Sequence, residues 1–253
     1  MQFEKGDDVT LELSASEIKI LQQKIGSLLF YGRAVDMILP IVLSTLVSAQ
    51  AHVTEATSRV MVQLLNYFAT HPDAVIGYKQ RDMIISIHGD ASYLSNTKVH
   101  SRSGMHFLFL TNKPKLGQPL MNNVAVHVVS TIIRNVISLA EEANLAALYL
   151  NAKYDVVIRN MLEEKGHPQP STPLHTENST AEGIVDINIV QRRSKPIDMR
   201  FNGLLDQGGQ QHFQVYWAPI SRNIGKFHTK HRQAAHHRVV RVIYLHIKAK
   251  KIQ

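Results

Sequence analysis

The apolar pattern of this chain changes period once, near residues 70–80, and that change restricts it to a helical segment followed by an α/β domain. Ahead of the change, "SASE" (Ser14 to Glu17) has the spacing of a capping box. Ile18, Leu21, Ile25, Leu28 and Leu29 then recur at helical spacing. A second helix is predicted over Asp36 to Gln50, with Pro40 in its first turn. A third runs from Thr54 to Ala69, its apolar face made by Val60, Leu64, Leu65 and Phe68. Pro72 cannot continue it.

From Ala74 the apolar runs become short and β-branched. "AVIGYKQ", "DMIISIHG" and "HFLFLTN" read as strands of a meander, and "NNVAVHVV" as a further strand. "STIIRNVISLAEEANLAALYLNA" (Ser130 to Ala152) predicts a long helix. A second, shorter helix follows over Tyr154 to Lys165 and stops at Gly166 and Pro168. "STPLHTEN" reads as a strand, "STAEGIV" as a short helix and "MRFNGLLDQGGQ" as a helix weakened by its glycines. "HFQVYWAP" (His212 to Pro219) reads as a strand, and the pattern beyond Arg222 favours no element. The expected organisation is a helical segment over residues 1–75 and an α/β domain with a basic tail over residues 76–253.

Composition narrows the function classes. The chain has no cysteine, which excludes disulfides and cysteine-ligated zinc and fits a reducing compartment, cytoplasmic or nuclear. "MILPIVLSTLVSAQA" is short and carries Pro40, so a membrane span is not expected, nor is a signal peptide in the charged opening "MQFEKGDD". The formal charge is +8 and unevenly placed. No Asp or Glu follows Asp206, whereas Arg222, Lys226, Lys230, Arg232, Arg238, Arg241, Lys248, Lys250 and Lys251 do. Such a segment attracts nucleic-acid phosphates through counterion release, or is simply a solvated basic end.

Asp90 ends an apolar run in "HGDASYLSNTKVHSRSG". Alone it is a turn residue. Phosphodiester hydrolysis by metal ions needs two cations about 4 Å apart, and hence several converging carboxylates. The surrounding segments supply a context. "IGSLLFYGRAVDMIL" has a G-S-L-x-Y-like form, "DASYLSNTKVHSRSGMHFLFL" a D-A…R-S-x-x-G-x-x-F form and "SLAEEANLAAL" an S-x-A-E-A-E-Y/L-x-A-L form. "LHTENSTA", "SKPIDMRF" and "VYWAPISRNIGKFHTKH" follow in order. Together, from about Leu13 to about Arg241, they resemble the C-terminal part of the Pol polyprotein of copia-type LTR retrotransposons, a reverse transcriptase connection followed by ribonuclease H.

That resemblance implies a ribonuclease H-like mixed five-stranded sheet with flanking helices. It implies four carboxylates that hold two magnesium (or manganese) ions and cut the RNA strand of an RNA–DNA hybrid. Carried over by position, the first Asp falls on Asp90, the Glu on Asn144, the third carboxylate on Glu177 and the fourth on Lys226. One is intact, one is neutral, one is a longer acid and one has reversed charge. Asn144 offers only an uncharged oxygen, and an ammonium at Lys226 competes with a cation. Glu141, one helical turn before Asn144, is a candidate substitute. The expected metal ligands are therefore Asp90 and Glu177.

Three readings stay open. The chain is a degenerate domain that keeps hybrid affinity with impaired nuclease activity, or a working metal-dependent ribonuclease H using Asp90, Glu177 and Glu141. Alternatively it is an interaction module whose helical part packs on the polymerase part of a reverse transcriptase. No Y-x-D-D motif occurs, so polymerisation is not expected of it.

Further candidates surround this set. Lys98, His100 and Arg102 lie beside Asp90, and Lys230 and Arg232 lie in the tail, all suited to phosphate contact. His228, His231, His236 and His237 are loosely spaced without cysteine or carboxylate, which argues against zinc, although His228 near the fourth position suits a softer metal. Phe213, Tyr216 and Trp217 could stack bases, but alternation along a strand favours the core for some of them.

Overall fold

A computed structural model describes residues 8–72, 74–95, 100–110, 123–135, 137, 139–185, 195–219, 221–232 and 234–245. The chain divides into two compact units: Met1–Gly77 together with His231–Gln253, and Tyr78–Lys230. The tail does not follow the expected division, because residues from His231 onward belong with the helical unit.

In the helical unit, α1 spans Ala15–Ala34, α2 Pro40–Ser48, α3 Glu55–Thr70 and α7 Ala234–Leu245. The Ser14–Glu17 capping box forms as expected, with the Ser14 backbone N–H donating to the Glu17 carboxylate at 2.9 Å. Thr54 caps α3 in the same reciprocal way with Thr57. The physical reason the tail joins this unit is a buried ion pair. Arg241 of α7 donates to Asp36 Oδ2 at 2.9 Å, and Tyr67 of α3 donates to the same oxygen at 2.7 Å. Both members of the pair are almost wholly removed from water.

The second unit is built on one sheet. Its strands are β1 (Ile84–Ser92), β2 (Ser101–Leu110), β3 (Ala125–Ile133), β4 (Thr172–Thr176) and β5 (Phe213–Trp217), in the spatial order β3-β2-β1-β4-β5. The first three form an antiparallel meander, while β4 runs parallel to β1 and β5 parallel to β4. Helices α4 (Ala140–Glu164), α5 (Ser179–Val185) and α6 (Lys195–Gly209) flank it. Ile85, Ile87, Met105 and Phe107 of the sheet share a buried core with Leu145, Leu148 and Ala152 of α4, Ala181 of α5 and Leu204 of α6. This is the α/β architecture expected, a mixed five-stranded sheet with flanking helices, preceded by an all-helical segment.

Three elements differ from their sequence pattern. "AVIGYKQ" forms no strand; its end is instead pinned where Asn123 exchanges hydrogen bonds with the Lys79 backbone. Thr131, Ile132 and Ile133 extend β3 rather than opening a helix, since they pair with Ser103, Arg102 and Ser101 of β2. Helical spacing and a strand of β-branched residues are hard to tell apart in so short a run. The two helices predicted over Ser130–Lys165 are one, α4, which starts at Ala140 and closes at Gly166 with φ +84°.

Replacing Arg241 with Met should lower the unfolding free energy by about 3–5 kcal/mol, because Asp36 is left buried without its partner. Asp36→Leu combined with Arg241→Met should recover most of that loss in the same urea titration. A double variant no more stable than the single one would contradict this account.

Candidate metal centre

Parallel pairing of β1 with β4 aligns Ile87 with Leu174 and His88 with His175. Asp90 and Glu177 follow at equal steps along the two strands. Strand alternation gives both the same face as His88 and His175, opposite to the apolar face that α4 covers. Asp90 is only 4% exposed. Its Oδ1 and the Oε2 of Glu177 are both buried, and neither receives a hydrogen bond from the described residues.

The position across β2 from Asp90 is Gly104. A Cβ there would lie 2.8 Å from the Gly225 carbonyl oxygen, so the bare backbone lets a 3-10 turn (Ile224–His228) approach the sheet. The turn is tied down from both ends. Asn223 donates to the Gly89 carbonyl at 2.8 Å, and Ser92 donates to the Thr229 carbonyl at 2.9 Å. Thr229 Oγ1 then donates to Asp90 Oδ2 at 2.7 Å. One carboxylate oxygen is thereby fixed, and the other is left for a different partner.

The electrostatics follow from this geometry. Burial pushes the Asp90 carboxyl up to about 7; the negative charge of Glu177 acts in the same direction, while the bond from Thr229 opposes it. Two carboxylates in a low-dielectric site cannot both stay charged cheaply. A cation beside Asp90 would relieve the repulsion. The orphaned oxygens are the hard donors that magnesium or manganese accepts, so these two residues fit one such ion.

The other expected ligands are placed differently. Asn144 sits in the second turn of α4 and spends its amide on the Ala140 carbonyl at 3.0 Å. Glu141 lies in the first turn of α4. Lys226 is half-buried, and its backbone carbonyl oxygen lies 2.9 Å from Thr229 Oγ1 as an alternative acceptor for that hydroxyl. Among the described residues, none of these three side chains hydrogen-bonds to Asp90 or Glu177, and no group of three or more His, Cys, Asp or Glu is arranged to hold a metal ion. His228 is wholly buried and stacks on His106 at 5.6 Å; its imidazole is pushed down to about 3 by burial.

The residues expected to contact phosphate divide in the same way. Lys98 lies outside the described residues. Arg102 is 2% exposed and donates to Ser130 Oγ at 3.1 Å, so this guanidinium is an interior group rather than a surface one. Burial lowers it to about 10. Lys230 and Arg232 are exposed, each in its own unit.

Sequence reasoning missed Thr229. The signal was present: it is the Thr of the "HTK" quoted above, three residues beyond Lys226.

No family model matches the sequence, and no curated protein matches it. Solved ribonuclease H structures do resemble the fold. LC11-RNase H1 in complex with an RNA/DNA hybrid is 12% identical, with 55% of this chain and 88% of that chain covered at a TM-score of 0.40. The PFV RNase H domain in solution is 13% identical, covering 60% and 91% at 0.36. The N-terminal RNase H domain of a Mycobacterium tuberculosis protein is 10% identical, covering 56% and 86% at 0.38.

Asp90 gives a signed pH dependence. Its carboxyl is raised in the folded state, so the native protein holds an extra proton between about pH 4 and pH 7, and stability falls as pH rises through that window. Asp90→Asn should remove this slope. In metal-free buffer the variant should match the parent near pH 4 and exceed it near pH 8, by roughly 2–4 kcal/mol. Chemical denaturation at both pH values checks this; an Asn variant less stable than the parent at pH 8 contradicts it.

Proposed function

We propose that Tyr78–Lys230 is a ribonuclease H-like domain of retrotransposon Pol origin that binds RNA–DNA hybrids and cleaves them poorly. The observation that carries this reading is the pair Asp90–Glu177: Asp90 is buried on β1, half-buried Glu177 directly follows the parallel strand β4, and each has one buried oxygen that receives no hydrogen bond from the described residues. The ordered sequence motifs of the copia type support the origin. The basic charge, with Arg222, Lys226 and Lys230 all in the segment after β5, supports affinity for phosphates.

The residues fit one divalent ion better than two. Asp90 and Glu177 would hold it, and Thr229 keeps Asp90 turned toward it. A bound ion would polarise the scissile phosphate or activate water. A second ion needs further negative oxygens, and the corresponding positions are the neutral Asn144 and the cationic Lys226. Impaired cleavage follows from that shortage of charge.

A second reading rests on the helical unit. Val62 and Leu65 stand one turn apart on α3 and are both exposed, as an interaction face for a reverse transcriptase would require.

The test uses a labelled RNA–DNA hybrid with the full chain. Binding should be salt-sensitive and should survive Asp90→Asn. Cleavage in magnesium or manganese should be weak and should disappear in that variant. Fast cutting that is lost in both Asp90→Asn and Glu141→Gln would instead establish an active enzyme with Glu141 as the replacement ligand. Absence of hybrid binding at low salt would sink the proposal.

A further inference from the structure

β5 closes one side of the sheet: β4 lies against it, and among the described residues no strand pairs with its other edge. Thr172 N–H donates to the His212 carbonyl at 2.9 Å, and Ala218 N–H donates to the Thr176 carbonyl at 2.8 Å. Residues 212 and 218 therefore turn these groups toward β4. Direction alternates along a strand, so the backbone groups of Gln214 and Tyr216 face β4 as well, and those of Phe213, Val215 and Trp217 turn outward. The Trp217 N–H is met by the carboxylate of Glu182 in α5, at 2.7 Å. No backbone–backbone bond among the described residues takes up the outward groups of Phe213 and Val215. Such a row is a template for one more strand.

A cavity of about 240 Å³ lies against the same strand, between Phe213 and Val215 of β5, Leu205, Gly208 and Gly209 of α6 and Val185 of α5. Of the three β5 rings for which the sequence favoured the core in part, only Phe213 is buried; Tyr216 and Trp217 are 41% and 50% exposed. Two glycines keep the cavity open. A Cβ at Gly209 would meet nothing within 4 Å, and one at Gly208 only Phe213 Cε2 at 4.0 Å. The volume is below the roughly 300–1,000 Å³ of cofactor and drug-sized sites, and leaves room for one branched aliphatic side chain. β5 carries no charged residue, α5 carries only Glu182, and the second half of α6 carries only Asp206. In a chain of net charge +8, this rim is acidic.

We propose that the free edge of β5 and this cavity form a docking groove for an extended peptide of a partner protein, in which a branched aliphatic residue is flanked two positions away on either side by lysine or arginine. Backbone pairing with Val215 supplies affinity, and the cavity selects the aliphatic side chain. Residues two apart share a face of a strand, so the flanking cations stand on the side of Glu182 and Asp206. The acidic rim disfavours nucleic acid and acidic peptides alike. Phe213 and Val215 belong to the apolar side of the sheet that α4 covers, opposite Asp90 and Glu177. The groove therefore stands apart from the metal reading.

The experiment titrates the full chain into a fluorescein-labelled peptide with a lysine–threonine–isoleucine–threonine–lysine centre, and follows anisotropy. Saturable binding that weakens with salt is expected. The same peptide N-methylated along its backbone keeps its side chains but cannot pair with a strand. Loss of those hydrogen bonds should weaken binding by about tenfold or more. Exchanging the lysines for glutamates should also weaken it. Gly208→Leu, which fills the cavity, should weaken binding of the parent peptide by a similar factor. The peptide comparisons use the unaltered chain, so they stand even if that variant fails to fold. No binding of the parent peptide would overturn the proposal, as would equal binding of the N-methylated or the glutamate peptide. A dimer on a sizing column that excludes the peptide would assign the edge to a second copy of this chain and overturn it as well.

Discussion

A buried carboxylate, Asp90, and a half-buried one, Glu177, are brought together by the pairing of β1 with β4, and most of what is distinctive in the sheet unit follows from that constraint. Strand register places Asp90 and Glu177 side by side, and like charges in low dielectric repel strongly. The fold answers with the Thr229 hydroxyl on Oδ2 of Asp90, helped by the Ala91 backbone N–H. Delivering that donor requires the 3-10 turn to lie on the sheet. The turn reaches it only because position 104 has no side chain and Gly225 passes within 2.5 Å of the His88 carbonyl oxygen, measured from where a Cβ would stand. The remaining repulsion is unresolved by the protein itself. On the proposed reading, a positive partner would relieve it, and Asp90 and Glu177 would then be functional rather than structural acids.

The same constraint separates this site from one able to hold two ions. Charge converging from four elements would offset two divalent cations. Here the helix contributes an amide that bonds its own backbone, and the turn contributes a carbonyl and a hydroxyl.

Local signals were legible where local physics decides. The Ser14–Glu17 box, the short helix at "STAEGIV" and the strand at "HFQVYWAP" all form where the residues place them. Long-range pairing decided the rest. Ile132 and Ile133 become strand because β2 offers them a partner, and no window of sequence contains that partner. Arg241 sits in a run of cations that reads as solvated, yet it is buried against Asp36, some two hundred positions earlier. Arg102 likewise looks like a surface base and is an interior one. For the site, Asp90 and Glu177 were legible as acids of the right order. Their adjacency was not, because it depends on a parallel crossover. Exposure of Trp217 was masked by a sound rule, alternation, which fails at an edge strand that ends beside a site.

The central claim is that Asp90 and Glu177 together hold one cation, and terbium(III) luminescence tests it most directly. Terbium favours the same oxygen donors as magnesium, and Trp217, bonded to the Glu177 carbonyl, is placed to sensitise its emission. Excitation of the tryptophan should give emission that saturates at one ion per chain, falls when manganese is added, and is absent from both Asp90→Asn and Glu177→Gln. Emission of undiminished strength in those two variants would contradict the account, as would a wild-type chain that gives none.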